Sequence, residues 1–293
     1  MVKLGISIVN FNSGDYLKKC LESLIKVKNE AEFEVWIVDN NSTDNSMEQL
    51  MVILDKFPNH KVILNQENIG FGKAQNQILK EIKTDLILIL NPDSEVLSGT
   101  IQDMVDFMEK NQDVGAASCK IEKADGSLDI ASHRGFPTPW ASFKYYFLKD
   151  DSLYHLTDRN MNEIHEVDAI VGAFFLSRKS VLEKVNYFDE DYFLYAEDID
   201  LCYKIKEAGY KVMYVPTVKV IHHKGVSSGL KKHSQEITTA SKESREKAFN
   251  SFYETMKIFY RKHLANKYPF FVNWLVYLGI NLKWWLARRK MQV

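Results

Sequence analysis

"DLILILNPDS" (residues 85–94) is the stretch on which the fold turns. Residues 86–90 are wholly apolar, the composition of a strand covered on both faces. Pro92 has no N–H to give to a ladder, so the strand stops there and Asp93 is pushed past its carboxyl end. Three further apolar runs precede it: "LGISIVNFN" (4–12), "FEVWIVDNNS" (33–42) and "HKVILNQ" (60–66). Each reads as a strand, and each is followed by a helical pattern. In "GDYLKKCLESLIKV" (14–27) the apolar positions Leu17, Cys20, Leu21 and Leu24 recur at helical spacing. "TDNSMEQLMVILDKF" (43–57) reads as a second helix capped by Ser42 or Thr43, and "GFGKAQNQILKEI" (70–82) as a third. The first 95 residues are therefore β-α-β-α-β-α-β. Such an alternation predicts an α/β fold, with a mostly parallel sheet carrying helices on both faces. Ligands of such sheets bind beyond the carboxyl ends of the strands. The polar clusters "NFN", "DNNS" and "NPDS" fall there.

The second half is less regular. "GTIQDMVDFMEKN" (99–111) predicts a helix and "VGAASCKI" (114–121) a strand. Residues 122–166 lack clean periodicity and read as a loop-rich insertion. "VDAIVGAFFLSRK" (167–179) predicts one strand, "SVLEKV" (180–185) a short helix, and "KVMYVPTVKVIHHKG" (211–225) an extended segment. Residues 227–247 are polar and read as mobile or helical surface. The chain has 293 residues, 45% hydrophobic and 26% charged, an ordinary globular composition. Cys20, Cys119 and Cys202 lie far apart and read as reduced thiols rather than a disulfide framework. The first apolar run is too short for a signal peptide, so a cytoplasmic protein is expected.

Several polar groups could carry chemistry. Asp93 suits a hard cation that also binds phosphate, or else simply ends a strand in a turn. Asp39 could accept hydrogen bonds from a ribose or base edge, or form an Asx turn before the second helix. His222 and His223 end an extended run; by alternation one of them points into the crevice, as a metal ligand or as a satisfied surface histidine. Glu197 and Asp198 open the amphipathic pattern "AEDIDLCYKIKEAG" (196–209). They read either as acids favoured by the helix dipole or as a general base with an acidic neighbour. "NIGFGKAQN" (68–76) holds GxG without GxGxxG and follows the third strand. With no Walker A sequence either, hydride transfer and P-loop chemistry are disfavoured. A nucleotidyltransferase would want a Gly-rich basic loop where "NFNSGD" stands.

Together "ISIVNFNSGDYLKKCLESL", "VDNNSTD", "NIGFGKAQNQ", "LILNPDS", "VGAFFLSRKSVL", "FDEDYFLYAEDIDLCYKIKEAGY" and "VIHHKGVSS" resemble the family 2 glycosyltransferases of the GT-A fold. The likeness spans roughly residues 3–229 and is nearest to bacterial rhamnosyltransferases of surface-polysaccharide synthesis. It implies inversion at the anomeric carbon, a dTDP- or UDP-sugar donor and a divalent cation, Mg²⁺ or Mn²⁺. It implies Asp198 as catalytic base with Glu197 beside it, and Asp93 with His222 on the cation. It places Asp39 on the nucleotide, with Asn10, Asn12, Asn41 and Asn68 in the same donor cleft. Asn91 stands where the family has its first metal acid, which leaves Asp93 as the principal carboxylate. Rhamnose from dTDP-rhamnose, passed to a saccharide or lipid-linked saccharide, is the first expectation. A UDP-hexose or UDP-N-acetylhexosamine transferase and a non-catalytic nucleotide-sugar-binding module are the alternatives.

The net charge of −1 hides an asymmetry, because residues 257–293 carry eight Lys and Arg and no Asp or Glu, leaving −9 on the rest. "YPFFVNWLVYLGINLKWWLARRK" (268–290) has an uncharged stretch of 15 residues, interrupted at Lys283. A helix of that length covers about 22 Å, short of a bilayer core of roughly 30 Å. Its Trp residues and terminal basic cluster fit the interface of an anionic membrane better than a span. A helix docked on the body and a homodimer contact are the other readings. The expected layout is a catalytic domain over residues 1–229 and a C-terminal helical region over 230–293, peripheral at the inner face of the cell membrane. No nucleic-acid partner is expected.

Overall fold

A computed structural model describes residues 3–223 and 241–291. The repeating first half forms as its pattern requires: β1 (Leu4–Asn10), α1 (Asp15–Val27), β2 (Phe33–Asp39), α2 (Ser46–Leu54), β3 (His60–Leu64), α3 (Phe71–Leu79) and β4 (Leu86–Ile89). β2 and β4 both run parallel to β1, and β3 runs parallel to β2. β1 and β4 are buried along their whole length, which is why their sequences show no polar alternation.

The second half departs from a parallel sheet. β5 (Ser94–Val96), α4 (Thr100–Lys110), β6 (Val114–Lys123), β7 (His133–Arg134), α5 (Pro139–Phe143), β8 (His165–Glu166), β9 (Ala169–Ile170), β10 (Phe175–Arg178), α6 (Lys179–Lys184), α7 (Glu197–Glu207) and β11 (Lys211–His222) follow in order. The main sheet runs β3-β2-β1-β4-β10-β6-β11-β5, with β8 on β11. β10 lies antiparallel between β4 and β6, because it enters from a turn and not from a crossover helix. The sheet is therefore parallel through β3-β2-β1-β4 and mixed beyond.

Two local expectations are corrected. The single strand expected over 167–179 is two: β9 pairs with β7 in a separate two-stranded sheet, and β10 joins the main one. Gly172 lies in the break, where a Cβ would come within 3.3 Å of Asn91 Oδ1 and 3.4 Å of Phe71. Pro92 does end β4, but the chain re-enters the sheet two residues later as β5, antiparallel to β11.

Core side chains pack on both faces. α1, α2 and α4 cover one, through Leu21, Leu24, Leu50, Ile53, Ile101 and Met104. α3, α6 and α7 cover the other, where Ile78, Leu182, Leu201 and Ile205 are buried. The C-terminal region adds α8 (Lys242–Phe259), a π turn (Tyr260–Leu264) and α9 (Phe270–Met291). Ile258, Phe259, Tyr260 and Leu264 join the second core cluster, so α8 and the π turn are packed into the body beside α7. The expected boundary at 229/230 lies outside the described residues. Among the described residues no helix is long and apolar enough to cross a membrane. All three cysteines are buried and free.

Candidate active site

Parallel register places Asn10, the last residue of β1, opposite Asp39, the last of β2. Asn10 Nδ2 donates to Asp39 Oδ1 at 2.7 Å and to the Ser42 and Ser46 hydroxyls at 3.0 Å each. Asp39 accepts from the Ser42 N–H at 2.9 Å and from its hydroxyl at 2.7 Å, an Asx-type turn. Ser42 is thus engaged with Asp39 and caps no helix. Neither Ser42 nor Thr43 is the expected cap: α2 begins at Ser46, whose N–H is taken by Asp44 Oδ1 at 3.1 Å. The shorter side-chain route from Asp44 wins because Asp39 already holds Ser42. Asn12, in the left-handed region at φ 50°, accepts from the N–H groups of Thr43 (2.7 Å) and Asp44 (3.3 Å). Asn41 is exposed, with φ 67°.

Asn40 ties this corner to the next, a role the sequence did not announce. Its amide donates to Asn68 Oδ1 (2.9 Å) and to the Gly70 carbonyl (3.3 Å). Its carbonyl accepts from Asn65 (3.0 Å) and from the Ile69 N–H (3.2 Å). Gly70 has φ 93°, and a Cβ there would sit 2.7 Å from the Phe193 carbonyl. Only glycine allows this approach. The neighbouring Phe71 N–H donates to the same carbonyl at 2.9 Å, so the loop before α3 is locked to the segment that leads into α7.

The pairing of β5 with β11 brings Asp93 to His222, 129 residues away. His222 Nε2 lies 3.1 Å from Asp93 Oδ1, and its Nδ1 lies 3.9 Å from Asp129 Oδ2. All three side chains are buried. Burial works against both charges, yet each partner supports the other: Asp93 is held below its ordinary value by His222, and Asp93 with Asp129 lifts His222 to about 9. At neutral pH the pair is an imidazolium on a carboxylate. His223 points the other way, to Glu95 at 2.6 Å.

The chain enters α7 through two successive left-handed residues, Tyr195 (φ 74°) and Ala196 (φ 63°). Two such non-glycine residues in a row cost about 1–2 kcal/mol each. They turn Glu197 inward, where it is 7% exposed and its Oε2 has no hydrogen-bond partner. Burial, then the charge of Asp198, pushes the Glu197 carboxyl up to about 8. Asp198 Oδ1 accepts from the Ile199 N–H at 2.8 Å. Arg134, on β7, is the residue that sequence reasoning missed. It donates to the Ala131 carbonyl at 2.6 Å and to the Tyr154 hydroxyl at 3.4 Å. Burial opposes its charge, but Tyr154, Asp198 and Asp129 together outweigh that and raise it. Asp93, His222 and Asp129 thus form one buried ion-paired run, and Arg134 lies within electrostatic reach of both Asp129 and Asp198. A cavity of about 620 Å³ among Phe193, Lys247, Tyr253 and Trp284 includes neither Asp93 nor Asp198.

The raised Glu197 value has a consequence for stability. Below the unfolded-state value near 4.5 both states are protonated; between there and about 8 only the unfolded state loses the proton. Wild-type stability should therefore fall as pH rises through that window, by on the order of 1 kcal/mol per unit. In thermal melts Glu197→Gln should match wild type at pH 4.5 and exceed it at pH 8. Parallel curves would show that the carboxyl titrates normally.

Comparison with known proteins gives the family. The sequence profile of Glycosyl transferase family 2 matches residues 6–186, more than half of the chain, and the chain belongs to that family. N-acetylglucosaminyl-diphospho-decaprenol L-rhamnosyltransferase of Mycobacterium tuberculosis is 27% identical over 243 residues, 77% of this chain and 78% of that one. Rhamnosyltransferase WbbL of Escherichia coli K12 is 28% identical over 228 residues, 74% and 82% of the two chains. The mannosyltransferase PcManGT from Pyrobaculum calidifontis, solved with GDP-Man and Mn²⁺, shares the fold with TM-score 0.55 at 18% identity, over 76% of this chain and 57% of that one. The protein is a glycosyltransferase of GT-A fold. Among the described residues no group of three or more His, Cys, Asp or Glu is arranged to hold a metal ion.

Proposed function

We propose that the protein is an inverting transferase that moves rhamnose from dTDP-rhamnose to a lipid-linked saccharide in cell-surface polysaccharide synthesis. The observation that carries this is the buried Asp93–His222–Asp129 run at the strand ends, with Arg134 within electrostatic reach of both Asp129 and Asp198. In this reading the Asp93–His222 pair serves the diphosphate end of the donor and the Asp198 carboxylate the acceptor hydroxyl. The rhamnosyltransferase names of both sequence relatives support the sugar.

In this reading Asp198 takes the proton of the acceptor hydroxyl as its oxygen bonds to the anomeric carbon. The bond from that carbon to the diphosphate oxygen breaks, and the electron pair leaves with the nucleoside diphosphate. Attack opposite the leaving group inverts the centre. Glu197, still protonated at neutral pH, adds no second negative charge beside the base, and Arg134 offsets the one present. Asn10, Asn12, Asp39, Asn41 and Asn68 line the nucleotide side.

A divalent cation, Mg²⁺ or Mn²⁺, is part of the reading, and the donor set fits one. Asp93 offers a buried carboxylate; His222, an imidazolium between Asp93 and Asp129 in this structure, would give up a proton to offer a ring nitrogen to the cation. Two protein ligands leave room for diphosphate oxygens to complete the shell. When bound there, the cation would stabilise charge developing on the leaving diphosphate. Residues 1–229 form the catalytic unit in this reading, and residues 230–293 attach it to the inner face of the cell membrane through α9.

A transfer assay with a lipid-linked N-acetylglucosamine diphosphate acceptor tests this. dTDP-rhamnose, UDP-glucose and UDP-N-acetylglucosamine are offered in turn with Mn²⁺ or Mg²⁺. Transfer from dTDP-rhamnose with an inverted anomeric centre, read by NMR, is the expected result. Turnover with a UDP-sugar alone would replace the donor, and a retained configuration would remove the mechanism.

A further inference from the structure

α9 is apolar nearly all round, and so leaves a large apolar face exposed. Phe271, Trp274, Leu275, Leu278, Leu282 and Trp285 recur at three- and four-residue steps and are all more than two-fifths exposed. The opposite side, with Asn273, Tyr277 and Lys283, faces the body: Asn273 accepts from the Tyr260 hydroxyl at 2.6 Å, and Tyr277 packs edge-on to Tyr260. A surface helix ordinarily presents charged and polar residues on its outer side, and this one does not.

A second exposed aromatic patch lies in the insertion, on α5 and the π turn Lys144–Leu148. Trp140 is 59% and Phe147 75% exposed, with Phe143 stacked between them. The inner side of α9 touches this segment where Lys283 Nζ sits 3.1 Å from the centroid of the Tyr146 ring, so the two exposed patches flank one contact.

We propose that α9 and the α5 segment form one composite surface that lies on an anionic lipid bilayer, the insertion entering the interface alongside the tail. This rests on the tail-anchor reading above and goes beyond it by giving the catalytic domain its own membrane contact. Charge argues for lipid as the occupant. Residues 257–293 contain no acid, and α9 ends on Arg288, Arg289 and Lys290. Of the acids near the α5 patch, Asp150 is paired with Lys144 at 2.6 Å, and Asp151 is hydrogen-bonded to His155 Nδ1 at 2.7 Å. Exposed Trp beside Arg and Lys is the composition of a helix lying in the headgroup layer. The placement also has a functional consequence. Tyr145 of the insertion packs on Tyr154 with ring centroids 5.3 Å apart, and Tyr154 accepts from Arg134, which feels the charge of Asp198. A bilayer under α5 would therefore lie close to the groups that must meet a lipid-linked acceptor.

Vesicle flotation of the full chain, with phosphatidylglycerol-rich and with purely zwitterionic vesicles, tests the proposal. Wild type should float with the anionic set. The double variant Trp140→Ser with Phe147→Ser should bind about tenfold more weakly or worse, since each exchange removes a large apolar side chain from the interface. Trp274→Ser with Leu278→Ser in α9 should weaken binding by at least as much. These positions are exposed, so unchanged melting temperatures are expected for both pairs. Wild-type binding by the insertion variant, with loss in the α9 variant, would overturn the composite surface and leave the tail anchor standing. No flotation of wild type, or a dimer in sedimentation that the α9 changes dissolve, would overturn both.

Discussion

Asp198→Asn should lower kcat by about 10³-fold, within the range that a positioned general base contributes. The amide matches the carboxylate in shape and can still accept from the Ile199 N–H, a bond of 2.8 Å in the native protein. Only the capacity to accept a proton goes. Glu197 is unable to substitute: it points inward, is 7% exposed and holds its proton to about pH 8. Steady-state transfer read with donor in excess isolates the chemical step, because KM for the donor should then stay within a few-fold of wild type. A variant that keeps a tenth or more of its turnover would remove Asp198 from the role of base.

Asp93→Asn should have the second-largest effect, of a different kind. It removes the carboxylate that faces His222 at 3.1 Å and leaves a buried imidazolium with Asp129 alone, at 3.9 Å. Breaking a buried ion pair by removing one partner costs about 3 kcal/mol or more. Denaturant unfolding at pH 7 should report that loss, with the slope against denaturant unchanged. Transfer activity should fall about 10²-fold or further, because the pair proposed to hold the cation under the diphosphate is gone. Unchanged stability together with unchanged activity would mean that the pair is ornamental.

The sequence announces the half of the fold built by local rules. β1 to β4 read correctly because each is an apolar run with a helix behind it, and the carboxyl-end rule then put Asn10, Asp39 and Asp93 at one edge. What sequence hides is long-range pairing. The break between β9 and β10 falls inside one apolar run, and Gly172 is its single mark. β5 has three residues and forms only because β11 arrives from 124 positions away, Val220 against Val96, with no local periodicity to announce it. Arg134 escaped because it sits in a segment without periodicity, and nothing in "SHRGFP" shows that β7 will bring it within electrostatic reach of Asp198. Asn40 escaped for the opposite reason: in "DNNS" the acid drew attention, while the buried amide beside it holds two loops together.

The central claim is a division of labour within one cleft, Asp93 with His222 on the donor diphosphate and Asp198 on the acceptor. Calorimetric titration of dTDP-rhamnose with Mn²⁺ into the two variants side by side tests it most directly. Asp198→Asn should bind the donor within about threefold of wild type, and Asp93→Asn about a hundredfold more weakly, if a cation-bridged diphosphate contact of a few kcal/mol is lost. Equal donor affinity in both variants, or loss confined to Asp198→Asn, would contradict it.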